Sequence, residues 1–431
     1  MKKIAIIYVT YDGLVNTMCG VGVISKSFVN SFPVVRKQLL KQGFEVDLHL
    51  ISVALKEGAL GYSNDIKNES IRIAKECGGQ LHYVLNGTNG LEQFGNVENW
   101  KLASVTAANK SLEISVGYYK TIVFCVDIPF MYTPYYISQQ KETFGNINIE
   151  PIMVLHSDVL SHEAEDPNME RLAWESSAIK YSCLKPIIKF AKTSNFLMKH
   201  LKDNYSINEN KIVSLQSGLD LTDPKYQYLE QKKIKKILET YGIPTDKDLI
   251  FSVGRAVPYK GLESLIHAFA KLKNKNTHLV FIASPYKFAP SNIEQLKKLI
   301  EKYKISCTPI YKLDMELPKI ICQWEKTKIC AQLSKHEPFG LVPEEVRVWA
   351  KNIGPVILTS NREGFVEQIT DNFDGFTVPI ENVEDISKKL EYILSLSKEE
   401  IDRIKQRGYL RAIENYDYQK SIYSCLKTIL K

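Results

Sequence analysis

Residues 248–266 read DLIFSVGRAVPYKGLESLI. An apolar run, 248–254, ends at Gly254, a basic turn holding Pro258 follows, and a helical pattern, GLESLIHAFAKL, starts at Gly261. Buried strand, turn and helix in that order form the opening of a βαβ unit. Working outward, the apolar runs HLVFIAS (278–284), TPIYKL (308–313), KICAQLS (328–334) and GPVILTS (354–360) alternate with SNIEQLKKLIEKY and PEEVRVWAKN. Strands separated by helices of this length predict a parallel sheet covered on both faces.

The same alternation occurs upstream. Lys3–Val9 is a β-branched run, a helix through Leu39 and Leu40 should end at Gly43, and FEVDLHLIS follows as a second strand. Pro33 should kink or divide that helix. Further strands are expected at 121–128, 151–157, 188–190 and 211–215, whereas 57–120 mixes helical periodicity with Gly/Asn-rich loops. The lysine-rich stretch QYLEQKKIKKILETYGIPTDKD reads as the connection to the second half. The fold class is therefore α/β, with two doubly wound parallel-sheet domains. One covers 1–220 and the other 221–413, and a final helix is expected at about 414–431.

Composition limits the rest. Hydrophobic residues make up 44% and charged residues 24% of 431, which suits a folded core and excludes disorder. A net charge of +7 permits anionic ligands without demanding nucleic acid. Eight scattered cysteines with no C-x-x-C pair fit neither a disulfide framework nor a zinc site, so a reducing, cytoplasmic setting is expected. The N-terminal apolar run leads straight into Asp12 and Gly13 and reads as a strand, not a signal peptide.

In open α/β sheets, ligands bind beyond the carboxyl ends of strands, so motifs placed there carry the most weight. Gly254, Arg255, Lys260 and Gly261 bring a planar guanidinium, an ammonium and a helix start to one edge, a set suited to a diphosphate. A basic turn facing solvent would look the same. In LSKHEPFGLVPEEVRVWA (333–350), Glu337 lies in a loop after a strand and Glu345 about one turn into a helix whose first turn holds Pro343. A loop carboxylate suits sugar hydroxyls and a helix carboxylate suits a ribose diol. The amides of Gly340 and Leu341 precede the helix and could face phosphate. Glu344 reads as a surface residue complementing the helix dipole, so Glu344→Ala should be mild.

These two segments, followed by Gly364, Glu367, Asp374 and Gly375 in REGFVEQITDNFDGFTVP, resemble the retaining glycosyltransferases of family 4, with the GT-B fold. The resemblance is close from about 248 to 380, looser through 190–220 and very weak between 55 and 120. It implies two Rossmann-like domains facing a cleft: an N-terminal acceptor domain, to which the last helix, about 414–431, returns, and a C-terminal nucleotide-sugar domain. It also implies that Arg255 and Lys260 neutralise the donor diphosphate and that Glu345 binds ribose. Glu337 would contact the transferred sugar, beside Phe339 and the amides of Gly340 and Leu341. Gly20 and Gly22 match the family's glycine loop, and His156 matches a strand-end histidine facing the donor sugar. Two features depart from the pattern: Cys19-Gly20-Val21-Gly22 spaces glycines that are usually paired, and Arg362-Glu363 stands where small residues are usual.

The implied reaction is transfer from a nucleoside diphosphate sugar, with UDP the family's commonest nucleotide, to a hydroxyl of a glycan, lipid-linked or small-molecule acceptor. No D-x-D motif stands at a strand end, so no metal and no cofactor beyond the donor are expected. Another GT-B enzyme, such as a phosphorylase or sugar-nucleotide epimerase, and a non-catalytic GT-B subunit stay open. Lysines 180, 185, 189, 192, 199 and 202 lie in a stretch without carboxylates, which allows peripheral contact with a membrane's cytoplasmic face; a solvated face around a buried strand is the preferred reading.

Overall fold

The computed structural model describes residues 2–145, 147–162, 167–285 and 291–431, which form two compact units. The first comprises Met1–Asp220 with Asp417–Lys431, the second Leu221–Tyr416.

The first unit is built on seven parallel strands: β1 (Lys2–Val9), β2 (Phe44–Val53), β3 (Leu81–Val84), β4 (Lys120–Val126), β5 (Ile149–Val154), β6 (Lys189–Lys192) and β7 (Ile212–Ser214). Their order is β3-β2-β1-β4-β5-β6-β7, so the winding direction reverses between β1 and β4. β1 is the centre, with Lys2–Val9 paired to Phe44–Ile51 on one side and Ile4–Val9 to Lys120–Cys125 on the other. Its residues from Ile4 onward are buried, as expected of a strand covered on both faces. β3 follows a helix in the stretch that sequence periodicity left unplaced. It is four residues long with a half-exposed LHYV pattern, too short to leave a periodic signal.

Helix α1 (Gly20–Leu40) runs unbroken through Pro33. The expected division does not occur. Phe28 and Phe32 before the proline and Val35 and Leu39 after it are all buried, so packing on both sides offsets the lost hydrogen bond. The helix closes at Gly43, whose φ of 86° satisfies the turn and whose N–H bonds to Leu40 O.

The C-terminal helix Tyr418–Leu430 belongs to this first unit. Its start is pinned by Tyr418 N–H to Leu219 O, 3.0 Å, and by the Ser421 hydroxyl to Gln216 O, 2.8 Å. Lys120 caps its end by donating to Ile429 O. Tyr418 is buried, its ring centroid 6.2 Å from that of Phe28 of α1 in an edge-to-face arrangement.

The second unit has six parallel strands: β8 (Asp248–Arg255), β9 (Thr277–Ser284), β10 (Cys307–Ile310), β11 (Thr327–Gln332), β12 (Val356–Ser360) and β13 (Phe376–Val378). The order β10-β9-β8-β11-β12-β13 again reverses once, between β8 and β11. The helices that come after β8, β11 and β12 are α2 (Leu262–Ala270), α3 (Val342–Trp349) and α4 (Glu363–Gln368). One apolar cluster, including Ile250, Leu265, Phe281, Ile329, Leu358, Phe376 and Leu390, fills the unit around its sheet.

All eight cysteines are free thiols, five of them buried. No described helix is long and apolar enough to cross a membrane.

Tyr418→Ala should destabilise the first unit by about 3 kcal/mol, the usual cost of emptying a buried aromatic site. Hydrogen exchange should quicken across β1, β4 and α1 while β8, β11 and β12 keep their protection.

Candidate active site

In the second unit, β8 and β11 are neighbours whose following connections run in opposite directions, which leaves a crevice at their carboxyl ends. β8 delivers Arg255 as its last residue, and a short 3₁₀ turn, Pro258–Lys260, presents Lys260. Gly261 then closes the turn at φ 71°; a Cβ there would meet Leu333 O at 2.0 Å, so glycine is required where the turn crosses the end of β11. Tyr259 sits between the two cations. Its hydroxyl accepts from Arg255, and its ring centroid lies 5.7 Å from that guanidinium and 5.5 Å from Lys260 Nζ. An aromatic face is attractive to both charges and keeps them apart.

From β11 comes the loop carrying Ser334, His336 and Glu337. The Glu337 carboxylate accepts from Lys260 Nζ and from the Ser334 hydroxyl at 3.2 Å, so the ion pair spans the crevice. The loop reaches α3 through Phe339, whose ring meets Tyr416 edge-on at 5.5 Å, and Gly340 at φ 78°. A Cβ on Gly340 would press on Phe365 at 2.6 Å and Glu337 at 2.9 Å. The Gln368 side chain donates to Phe339 O at 2.6 Å and Gly340 O at 3.0 Å, fixing the loop's carbonyls away from the helix start. The N-cap of α3, Leu341, gives no side-chain cap, and no acceptor among the described residues takes the N–H of Gly340 or Leu341. These amides and the helix dipole therefore present positive potential beside Arg255 and Lys260.

Glu345 follows one turn later. Its carboxylate meets Lys225 Nζ at 3.0 Å, and Lys225 is itself held where its carbonyl accepts from Trp349 Nε1 at 3.2 Å. From β12 comes Glu363, the first residue of α4, with its backbone left-handed at φ 47°. Its carboxylate accepts from the Glu337 N–H and meets His336 Nδ1 at 2.9 Å. Burial pushes its pKa up, while His336 and the Glu337 N–H pull the other way. The second unit thus gathers Arg255, Lys260, Glu337, Phe339, Gly340, Leu341 and Glu345 around one sheet edge.

Glu344 corrects the reading of the helix face. It is fully buried and not on the surface: Arg347 Nη1 donates to it at 3.0 Å and to Gln368 O, while Arg347 Nη2 reaches Asp374 at 3.0 Å. Arg411 then binds the other Asp374 oxygen at 2.6 Å and Glu367 O at 2.6 Å. The turn of α3 sets Glu345 against Lys225 and Glu344 into this ion network, about 100° away around the helix. Burial raises the Glu344 pKa and Arg347 opposes it.

The first unit has its own reversal point, between β1 and β4. Asp12, after β1, is buried and accepts from Met18 N–H and Cys19 N–H at 3.1–3.2 Å. Gly20, at the start of α1, has open space around its Cα, whereas Gly22 is buried and a Cβ would meet the Asp12 carboxylate at 2.6 Å. Gly22 therefore does not line an open cradle. It lets α1 lie against the Asp12 loop. Asp127, after β4, is buried with a left-handed backbone (φ 56°), and its carboxylate accepts from His156 N–H at 2.9 Å. His156, after β5, has Nδ1 at 3.5 Å from the Ser217 hydroxyl and a buried Nε2 with no partner among the described residues. Burial lowers the His156 pKa to about 4 and raises that of Asp127 to about 7 and that of Asp12 to about 6.

Three of the six lysines in the lysine-rich stretch meet carboxylates from outside it. Lys185 pairs with Glu142 at 2.9 Å, Lys199 with Asp203 at 2.6 Å, Lys202 with Glu209, and Lys189 donates to Asn210 O. Among the described residues, no group of three or more His, Cys, Asp or Glu is placed to hold a metal ion.

Residues 233–411 match the family model described as glycosyl transferases group 1. The second unit carries that domain. Trehalose synthase of Pyrococcus horikoshii is 25% identical over 210 residues, 47% of this chain and 49% of that protein. Serotype-specific mannosyltransferase WbdA of Escherichia coli is 27% identical over 165 residues, 38% of this chain and 19% of that protein. The matches thus span half or less of these curated relatives. Over the whole of both chains, a glycosyltransferase from Rickettsia africae ESF-5 is similar with a TM-score of 0.70 at 20% identity. Anabaena HepE in complex with UDP and glucose covers 99% of each chain with a TM-score of 0.68 at 11% identity. The fold is GT-B, with two Rossmann-like parallel-sheet domains.

Sequence reasoning passed over Lys225, Tyr259, Ser334, Asp12 and Asp127. For the two aspartates a signal existed, because each is a lone carboxylate shortly after an apolar strand run. Lys225 lies in a junction segment more than a hundred residues from Glu345, and no local pattern links them.

Glu344→Ala would leave Arg347 with one buried carboxylate instead of two. It should cost about 3 kcal/mol, measured by urea unfolding of the second unit, and not the mild effect of a surface change. The contribution of Asp127 to stability depends on pH. An acid whose pKa is raised by folding stabilises the fold fully below the ordinary carboxylate range, and that contribution drains as the pH climbs toward 7. Asp127→Asn keeps an acceptor for His156 N–H. It should therefore raise stability at pH 8 by roughly 1–3 kcal/mol and hardly at all at pH 4, which denaturation at the two pH values checks.

Proposed function

We propose that this protein is a retaining, metal-independent glycosyltransferase that moves a sugar from a nucleoside diphosphate sugar, UDP by preference, to an acceptor hydroxyl. The observation that carries this reading is the convergence of Arg255, Lys260 and the uncapped start of α3 on one crevice, with Glu345 one turn into the same helix. A diphosphate fits the first three groups and a ribose diol the fourth. The glycosyl transferases group 1 domain over 233–411 supports it.

On this reading, bond breaking at the anomeric carbon puts negative charge on the departing phosphate oxygen. Arg255 supplies a fork to it, Lys260 a point charge, and Gly340 and Leu341 their N–H groups, all preorganised in the free protein. The carboxylate of Glu337, held by Lys260 and Ser334, is assigned to hydroxyls of the transferred sugar. The acceptor oxygen forms its bond to the anomeric carbon on the face that the phosphate leaves. Its proton passes to the departing phosphate oxygen, which closes the balance without a metal or an enzymic nucleophile. His156, neutral at physiological pH, is assigned as a hydrogen-bonding group of the first unit, and Gly20 as the exposed amide of its helix start. The unit comprising Leu221–Tyr416 is the donor domain on this reading, and the first unit serves the acceptor.

A thermal-shift screen of UDP-, GDP-, ADP- and dTDP-sugars should single out one base by raising the melting temperature through mass action. With that donor, Arg255→Ala or Lys260→Ala should each lower kcat/KM by a factor of about 10² or more. Turnover should persist in EDTA. Near-normal rates in either variant would place the diphosphate elsewhere.

A further inference from the structure

Glu363 occupies a position that its backbone disfavours. At φ 47° an L side chain crowds the neighbouring carbonyl, and glycine is the residue such a site ordinarily takes. The family resemblance marks Arg362-Glu363 as a departure where small residues are usual. What the strained residue does is visible in its contacts. The carboxylate of Glu363 accepts from the backbone N–H of Glu337, while the N–H of the next residue, Gly364, donates to Glu337 O at 3.0 Å. One dipeptide at the start of α4 thus grips both polar groups of the Glu337 backbone. The second carboxylate oxygen meets His336 Nδ1 at 2.9 Å and steadies the preceding residue as well. The grip depends on close approach. A Cβ on Gly364 would meet Pro338 O at 2.5 Å and Phe339 Cα at 2.7 Å, so Gly364 can carry no side chain.

The geometry points to Glu363 as a positioning residue for the donor sugar: its carboxylate clasps the Glu337 N–H and the His336 imidazole and so aims the Glu337 side chain. This rests on the assignment of Glu337 to the transferred sugar. Backbone strain that persists beside a reactive group is expected where the strained side chain has a task that glycine cannot perform. Glu363 sits behind Glu337 and touches neither Arg255 nor Lys260 among its described contacts, so the diphosphate end of the crevice should not feel its loss.

Three variants and one control test this, with the full chain and UDP-glucose or whichever sugar nucleotide the thermal screen selects. Turnover is read as nucleotide release without acceptor, and affinity as calorimetric titration with the free nucleoside diphosphate. Glu363→Gly and Glu363→Ala should both lower kcat about tenfold to a hundredfold, because a misaimed group loses the transition state. Nucleoside diphosphate affinity should stay within about twofold. Glu363→Gly should melt higher than Glu363→Ala, since only glycine accepts the left-handed backbone freely. Glu363→Gln, which keeps an acceptor for the Glu337 N–H, should recover much of the rate. Wild-type turnover in the glycine variant would overturn the proposal, as would rate losses in the glycine and alanine variants that simply follow their melting temperatures. Glu337→Gln is the control. If it is impaired while the Glu363 variants are normal, only the positioning role falls; if it is itself normal, the assignment of Glu337 falls with it.

Discussion

A parallel sheet whose winding direction reverses leaves one place where the connections on its carboxyl edge diverge. In the second unit this place lies between β8 and β11, and the Lys260–Glu337 ion pair bridges it. Much of the surrounding structure serves to hold those two groups there. Gly261 allows the turn bearing Lys260 to cross Leu333, Tyr259 separates Lys260 from Arg255, and Ser334 shares the Glu337 carboxylate. Each side chain is only partly buried, so the pair is neither a solvated surface contact nor a dry one. A charged ligand can compete for it without first dismantling a core.

Behind this edge the polarity is of another kind. The chain of contacts runs from the buried Glu344, Arg347 and Asp374 to the partly buried Arg411. It joins α3 to the start of β13 and to the helix Lys398–Asn415. Buried charges are costly unless their partners are fixed, and here Glu344 and Arg347 of α3 are met by Asp374 and Arg411 from two other elements, so α3 has one seat. That seat decides where Glu345 and the free amides at Gly340 and Leu341 point. Lys225 adds a second restraint from the opposite side, through Glu345 itself.

The two units share a device. Each places a non-glycine residue with a left-handed backbone after a strand that borders or neighbours its reversal point, Asp127 after β4 and Glu363 after β12. In both cases the carboxylate takes up a backbone N–H of a loop from the adjacent strand: His156 after β5, and Glu337 after β11. The same local chemistry thus ties neighbouring loops together at each edge.

Patterns read along the chain were enough for the α/β class, for most strands, and for the turn carrying Arg255 and Lys260 and the loop carrying Glu337. Those features follow from short-range physics: β-branched runs, helical periodicity, and glycine or proline where a turn needs them. Two strands, Leu81–Val84 and Phe376–Val378, were too short for periodicity to register. The continuity of α1 through Pro33 and the burial of Glu344 were decided by tertiary packing. A proline's local penalty can be outweighed by apolar contacts from distant elements, and adjacent glutamates on a helix differ only in what the fold sets against each face. The pairing of Lys225 with Glu345, and the clasp of Glu363 on Glu337, likewise join residues far apart in sequence, and no local preference encodes a contact whose partners meet only when the sheet has formed.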